Sequence, residues 1–287
     1  MPEINSNLPR DNNDGAMEPF FNYISSHILV VIEHLINIST TSIILYVNEY
    51  VPEIFTSIMT YESTISFTID TICPWTYLAK QRLGIALNEY RASSPYAKKC
   101  TFSIKYYPYQ LYPEASREGE DKFTWYKKLK YNDSDEKMKM YTTLMSAYGT
   151  GCGIDFKFGG TVANTLHAHR LIYWVQEEKG AEAAAKVVAS LYRQYFEEER
   201  HPSSQETLLQ ACKDAGISDE EARRVVVEDE SEALMDVKLA ARESAGNGID
   251  SVPHIVFEGR RRDLTLQGAK EVDEYVRLLE TIAKEST

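Results

Sequence analysis

Asp70-Thr71-Ile72-Cys73-Pro74-Trp75-Thr76-Tyr77 is the stretch whose reading decides the fold. Ahead of it, Ile65, Phe67 and Ile69 alternate with Ser66, Thr68 and Asp70, the period of two expected of a strand with one buried face. Behind it, Ala79, Leu83, Ala86, Leu87 and Tyr90 recur at helical spacing as far as about Arg91. Pro74 suits the first helical turn, where no N–H partner is needed. Cys73 therefore falls at a helix N-terminus, where unpaired backbone N–H groups and the positive end of the helix dipole favour thiolate over thiol. The position predicts a low-pKa nucleophile for thiol–disulfide chemistry; the competing reading is a half-buried structural cysteine.

Working outward, residues 101–107 carry Phe102, Ile104 and Tyr106 in alternation with Ser103 and Lys105, a second strand stopped by Pro108. Strand, helix and strand make a βαβ unit, for which a parallel pair is expected. Helical patterns then dominate residues 113–245, over 122–130, 136–148, 162–178, 181–199, 204–215, 219–226 and 230–245. Asn164 or Thr161 can cap the third of these, and Ser218-Asp219-Glu220-Glu221 has the capping-box arrangement. Residues 149–153, Gly-Thr-Gly-Cys-Gly, lack the Lys and Ser/Thr of a phosphate loop and read as a flexible linker. A short apolar run at 252–257, a Glu258-Gly259 turn, a strand at 264–266 and a helix over 269–284 close the chain. The economical architecture is a small α/β fold interrupted by helices.

A chain of 287 residues, 43% of them hydrophobic, can build one large domain or two. Its net charge of −12 argues against nucleic acid as a partner, and Arg260-Arg261-Arg262 reads as a solvated turn. The four cysteines, Cys73, Cys100, Cys152 and Cys212, are dispersed without a CxxC pair, so neither a disulfide scaffold nor a metal site is expected. His167 and His169 point to different faces of a helix. The cysteine usage favours a reducing, cytoplasmic setting. Residues 1–18 read as a disordered start. The apolar stretch 28–45 could just span a bilayer, but Glu33, His34 and Asn37 near its middle favour an appended helix over a membrane anchor.

The order of elements, the Cys-Pro-Trp turn and the Val-Pro ahead of the third strand resemble the DsbA family of thioredoxin-like proteins, in particular its FrnE-like branch. The matching stretches are DTICPWTYLAK at 70–80, YQLYPEASREG at 109–119, GIDFKFGGTVANTLHAHRL at 153–171, LYRQYF at 191–196 and SVPHIVF at 251–257, closed by Gln267-Gly268-Ala269. The resemblance implies an α/β fold of thioredoxin type with a long all-helical insertion between its βαβ and ββα halves. Residues 1–62 would then form an extension, 63–112 with 246–287 the thioredoxin-like domain, and 113–245 the insertion.

The same resemblance implies a cis Val252-Pro253 peptide bond set against Cys73, with Pro253 and the Val252 backbone holding a substrate strand and Trp75 walling the site. Pro74, Ser251 and His169 fall in substrate-side positions, Ser251 standing where the branch often has Gly. Dithiol members carry a second cysteine three residues after the first, where this chain has Thr76. Its hydroxyl is expected to donate to the Cys73 thiolate. The implied function is a monothiol thiol–disulfide oxidoreductase acting on disulfide-containing or glutathione-type substrates, with glutathione as co-substrate and no tightly bound cofactor. The alternatives are a glutathione transferase or isomerase like the kappa-class enzymes and a non-catalytic binding module, the latter favoured if Cys73 is buried with an unperturbed pKa. A second copy of the chain is a candidate partner.

Overall fold

The computed structural model describes residues 60–286. The expectations for the stretch 28–45 and for the rest of 1–59 lie outside the described residues. β1 (Tyr61–Ile69), α1 (Pro74–Ser93) and β2 (Cys100–Pro108) form the first half. The insertion runs through β3 (Glu120–Asp121), α2 (Lys122–Tyr131), α3 (Asp135–Thr150), β4 (Thr161–Val162), α4 (Leu166–Lys179), α5 (Ala181–Phe196), α6 (Gln205–Asp214), α7 (Asp219–Arg223) with a π-helical turn at Arg224–Glu228, and α8 (Leu234–Gly246). β5 (His254–Phe257), β6 (Leu264–Gln267) and α9 (Val272–Ser286) complete the second half.

The four-stranded sheet has the order β2-β1-β5-β6, with β1 parallel to β2 and the other pairs antiparallel. Its register places Ile65 beside Ile104 and Phe257, and Phe67 beside Tyr106 and Ile255. These apolar positions share one sheet face because successive strand residues alternate, and they join Leu83, Leu87, Leu279 and Ile282 of α1 and α9 in the core. Burying each such side chain stabilises the fold by roughly 1.5–3 kcal/mol over leaving it exposed. β1 starts at Tyr61, ahead of the boundary at 63 read from the sequence, because the Tyr61 N–H bonds to the Lys99 carbonyl and the residue pairs with Cys100.

An aromatic stack ties the insertion to α1. Tyr77 lies 4.9 Å from Tyr192 and 5.8 Å from Phe196, both on α5, and meets Phe156 edge-on. Ser218 caps α7 by accepting the Glu221 N–H, as its capping box predicts.

Three local expectations are corrected. The helix expected from Val162 begins at Leu166, because Thr161–Val162, just after Gly159-Gly160, instead pairs with β3. The φ of Gly160 is +87°, and a Cβ there would lie 2.3 Å from the Glu199 carbonyl oxygen. Residues 149–153 are no flexible linker: Gly149 is buried in the last turn of α3 against Phe156, and its carbonyl accepts from Cys152 and Ile154. The last helix of the insertion begins at Leu234 instead of 230, because the Asp229 carboxylate accepts from Ser231 and Glu232 in a turn. No helix among the described residues is long and apolar enough to cross a membrane.

Candidate functional site

β1 ends at Ile69 and α1 begins at Pro74, so Asp70–Cys73 form the turn between the sheet and the first helix. The Cys73 N–H bonds back to the Asp70 carbonyl at 3.0 Å, and the Cys73 carbonyl receives the Tyr77 N–H at 3.3 Å, starting the helical ladder. Cys73 is the N-cap residue, with Pro74 where no N–H partner is required. Opposite the turn, the Val252-Pro253 peptide bond is cis, and the Cys73 Sγ lies 3.5 Å from the Val252 carbonyl oxygen, to which it donates. Trp75 stands exposed beside the cysteine and lies 5.7 Å from the Tyr148 ring of α3.

The thiol is not the exposed thiolate that its place at a helix N-terminus predicts. Cys73 is only 4% exposed, and that burial pushes its pKa up to about 11. The backbone N–H groups of Thr76 and Trp75 pull in the expected direction, and the nearby Asp70 charge pushes the other way. Desolvation wins because the helix-terminus effect is worth only about 0.3–2 kcal/mol. Cys73 therefore rests as a protonated thiol, neither activated nor unperturbed.

Thr76 also takes a different role from the one expected. Its hydroxyl lies 2.7 Å from the Cys73 carbonyl oxygen and 2.9 Å from that of Asp70, and it accepts from the Tyr192 hydroxyl at 2.8 Å. With its proton engaged by carbonyls, its pull on the sulfur is the smallest of those acting there.

His169 is buried with its Nε2 3.3 Å from the Asp70 carboxylate; it contacts that residue, with no bond to the sulfur. Pro74, Val252 and Pro253 are buried around the thiol, whereas Ser251 is exposed and its hydroxyl donates to the neighbouring Asp250 carboxylate. The N-cap of α4 is Thr165, whose side chain makes no capping bond, and neither Asn164 nor Thr161 takes that place; Asn164, one residue ahead of it, accepts the Leu166 N–H at 2.9 Å.

Asp70, Tyr192 and Tyr126 are the site residues that sequence reasoning assigned no role. Asp70 is fully buried; its carboxylate accepts the Leu111 N–H at 2.7 Å and its carbonyl the Cys73 N–H. The Tyr126 hydroxyl donates to the Ile72 carbonyl at 3.3 Å. An acidic residue closing an otherwise buried strand was a legible signal for Asp70; nothing in the local sequence marked the tyrosines. Among the described residues, no group of three or more His, Cys, Asp or Glu is arranged to hold a metal.

The family model of the DSBA-like thioredoxin domain matches residues 64–280. The chain belongs to that family. As a DSBA-like protein it is assigned to the disulfide oxidoreductases, and its helical insertion falls inside the matched span. The fold is shared with a probable DsbA oxidoreductase from Streptomyces coelicolor, 23% identical, over 78% of this chain and 92% of that one with a TM-score of 0.66. A candidate protein disulfide isomerase from Nitrosomonas europaea is 15% identical over 79% of this chain and all of its own, with a TM-score of 0.56. A 2-hydroxychromene-2-carboxylate isomerase, 15% identical over 77% and 95%, has a TM-score of 0.53. No curated protein sequence matches the chain.

Proposed function

We propose that this DSBA-like protein is a monothiol oxidoreductase in which Cys73 exchanges with a disulfide and glutathione completes the cycle, most suitably in a reducing cytoplasm. The observation that supports it is the Cys73 Sγ set 3.5 Å from the Val252 carbonyl of the cis-proline loop. That contact puts the sulfur beside an extended backbone able to pair with a substrate strand. The Cys73 S–H loses its proton and the sulfur attacks one sulfur of the disulfide. The other sulfur leaves as a thiolate and takes up a proton, so that Cys73–SH and RSSR′ become Cys73–S–SR and R′SH. The thiolate of glutathione then attacks the sulfur of the R group, restoring the Cys73 thiol and releasing the disulfide of R and glutathione. Thr76 stands where a resolving cysteine would be, so the second thiol must come from outside the active-site turn.

Burial of Cys73 favours a second reading, a thioredoxin-like module that binds partners without turnover. Intact mass after incubation with glutathione disulfide, on wild type and on Cys73→Ala, separates the two. A single glutathione adduct on wild type only, removed by added glutathione, is the expected result. An unmodified wild-type chain after prolonged incubation at pH 8.5 sinks the enzymatic reading and leaves the module.

A further inference from the structure

The polar face of the sheet holds a cavity to which neither Cys73 nor the cis-proline contributes. Parallel pairing sets Tyr107 beside Thr68, and antiparallel pairing sets His254 on its other side, so the three form one row across β2, β1 and β5. Lys105, Ser66 and Val256 form the next row on the same face. Strand alternation alone assigns this face to solvent. In the fold, α4 and α8 roof it, and between roof and sheet lies a cavity of about 500 Å³, the size of a small-molecule site.

The floor and roof present polar groups with nothing to bond. Among the described residues, the hydroxyls of Thr68, Tyr107, Tyr173 and Ser244, the His254 ring and the Asn247 amide have no hydrogen-bond partner, although all six residues line this cavity. Thr68 is 4% and Ser244 6% exposed. Thr68 and Ser244 are nearly enclosed, the two tyrosines and His254 half-buried and Asn247 exposed at the rim, so their polar groups open together onto the cavity and mark a space for a polar occupant. Of the charges at its edge, Lys105 pairs with Glu177 at 3.6 Å and Glu243 stands exposed at the rim, where it repels an anion; burial lowers the His254 pKa, favouring a neutral ring with one N–H and one lone pair. Neutral donors and acceptors on a lining that also includes the tyrosines Tyr107 and Tyr173 suit a small, uncharged aromatic ligand.

We infer that this cavity binds a small uncharged aromatic compound bearing hydroxyl or amide groups, held between the sheet row Tyr107–Thr68–His254 and the helix α8. The test is a titration of the full chain with 4-hydroxybenzamide followed by NMR, with benzoate as the charged comparison. Saturable binding that shifts the His254 ring signals is expected, with benzoate at least about ten-fold weaker because its charge finds no free cation inside. Ala240→Trp, which fills the cavity from α8, should abolish binding. Thr68→Val, which keeps the shape and removes one hydroxyl, should weaken it by about five-fold. If Ala240→Trp does not fold, the Thr68→Val ratio decides. Failure of wild type to saturate, shifts confined to the Cys73 turn, or equal affinity in the variants would overturn the assignment and leave a cavity filled with water.

Discussion

Alkylation of Cys73 as a function of pH is the sharpest test of how the Cys73 turn works. Burial lifts the thiol from an ordinary 9.0 to about 11, so at pH 7 the thiolate fraction falls from roughly 1% to roughly 0.01%. Iodoacetamide should therefore modify Cys73 about 100-fold more slowly than an ordinary cysteine, with the rate rising about ten-fold per pH unit. Peptide mapping after timed quenching distinguishes Cys73 from Cys100, Cys152 and Cys212. No plateau is expected between pH 6 and 10. A plateau below pH 8 would mean that the helix terminus outweighs desolvation, and the account of the site given above would fail. The same shift carries a stability consequence of definite sign. A thiol whose pKa is raised on folding contributes stability that is complete below about pH 9 and lost as pH climbs from 9 through 11, by at most about 2.7 kcal/mol for a shift of this size. Urea unfolding of Cys73→Ala should show a correspondingly smaller loss across that window, while Cys100 and Cys212, raised to about 11 and about 12, keep theirs.

Asp70→Asn removes a charge that pushes the Cys73 thiol up while keeping an acceptor for the Leu111 N–H; its alkylation curve should move to lower pH, and an unmoved or higher curve would discount the Asp70 field. Thr76→Cys places a second thiol one helical turn from Cys73. Mild oxidation should then remove the mass of two hydrogens and protect both sulfurs from alkylation; a chain that stays reduced would show the turn too rigid to bring them together. Gly160→Ala puts a Cβ 2.3 Å from the Glu199 carbonyl oxygen at a φ of +87°. A loss of about 1–3 kcal/mol in urea unfolding is expected, and an unchanged midpoint would show that the β4 turn yields freely.

Much of this site was legible because its signals are local. Ile65, Phe67 and Ile69 alternate, Pro74 follows the cysteine, and helical spacing resumes at Ala79, so the strand-to-helix junction could be placed to within a few residues. Val252-Pro253 ahead of an apolar run marked the opposing loop in the same way. The state of the thiol was not legible, since the Val252 loop that covers it is brought in from 179 residues away. The partner of the Thr76 hydroxyl was equally hidden: helical spacing allows it to reach the sulfur, but its proton goes to the carbonyls of Cys73 and Asp70, and the Tyr192 hydroxyl supplied by the fold donates to its oxygen. Strand alternation, which sets Thr68 on the face away from the main core, could not show that this residue is buried, for a related reason. It reports which face avoids the main core and says nothing of helices that arrive later to roof the other.

The hydrogen bond from Cys73 to the Val252 carbonyl carries a consequence for substrate choice. Thr76, bonded to the carbonyls of Cys73 and Asp70 and to Tyr192, anchors the first turn of α1 to the end of β1 and to α5; a thiol, a weak donor, could not hold it as well. The turn is thus fixed, and the Val252 carbonyl is the free end of the pair. A disulfide whose backbone donates an N–H to that carbonyl would take the bond from the Cys73 S–H, freeing the sulfur in the same step that docks the substrate. Exchange should therefore favour disulfides with amide N–H groups near the sulfur. Glutathione disulfide is expected to react faster than 2-hydroxyethyl disulfide by about five-fold or more, the worth of one hydrogen bond, after correction for the acidity of the leaving thiol. Equal corrected rates would show that the Val252 contact only covers the thiol, and the strand-pairing account of this loop would have to be abandoned.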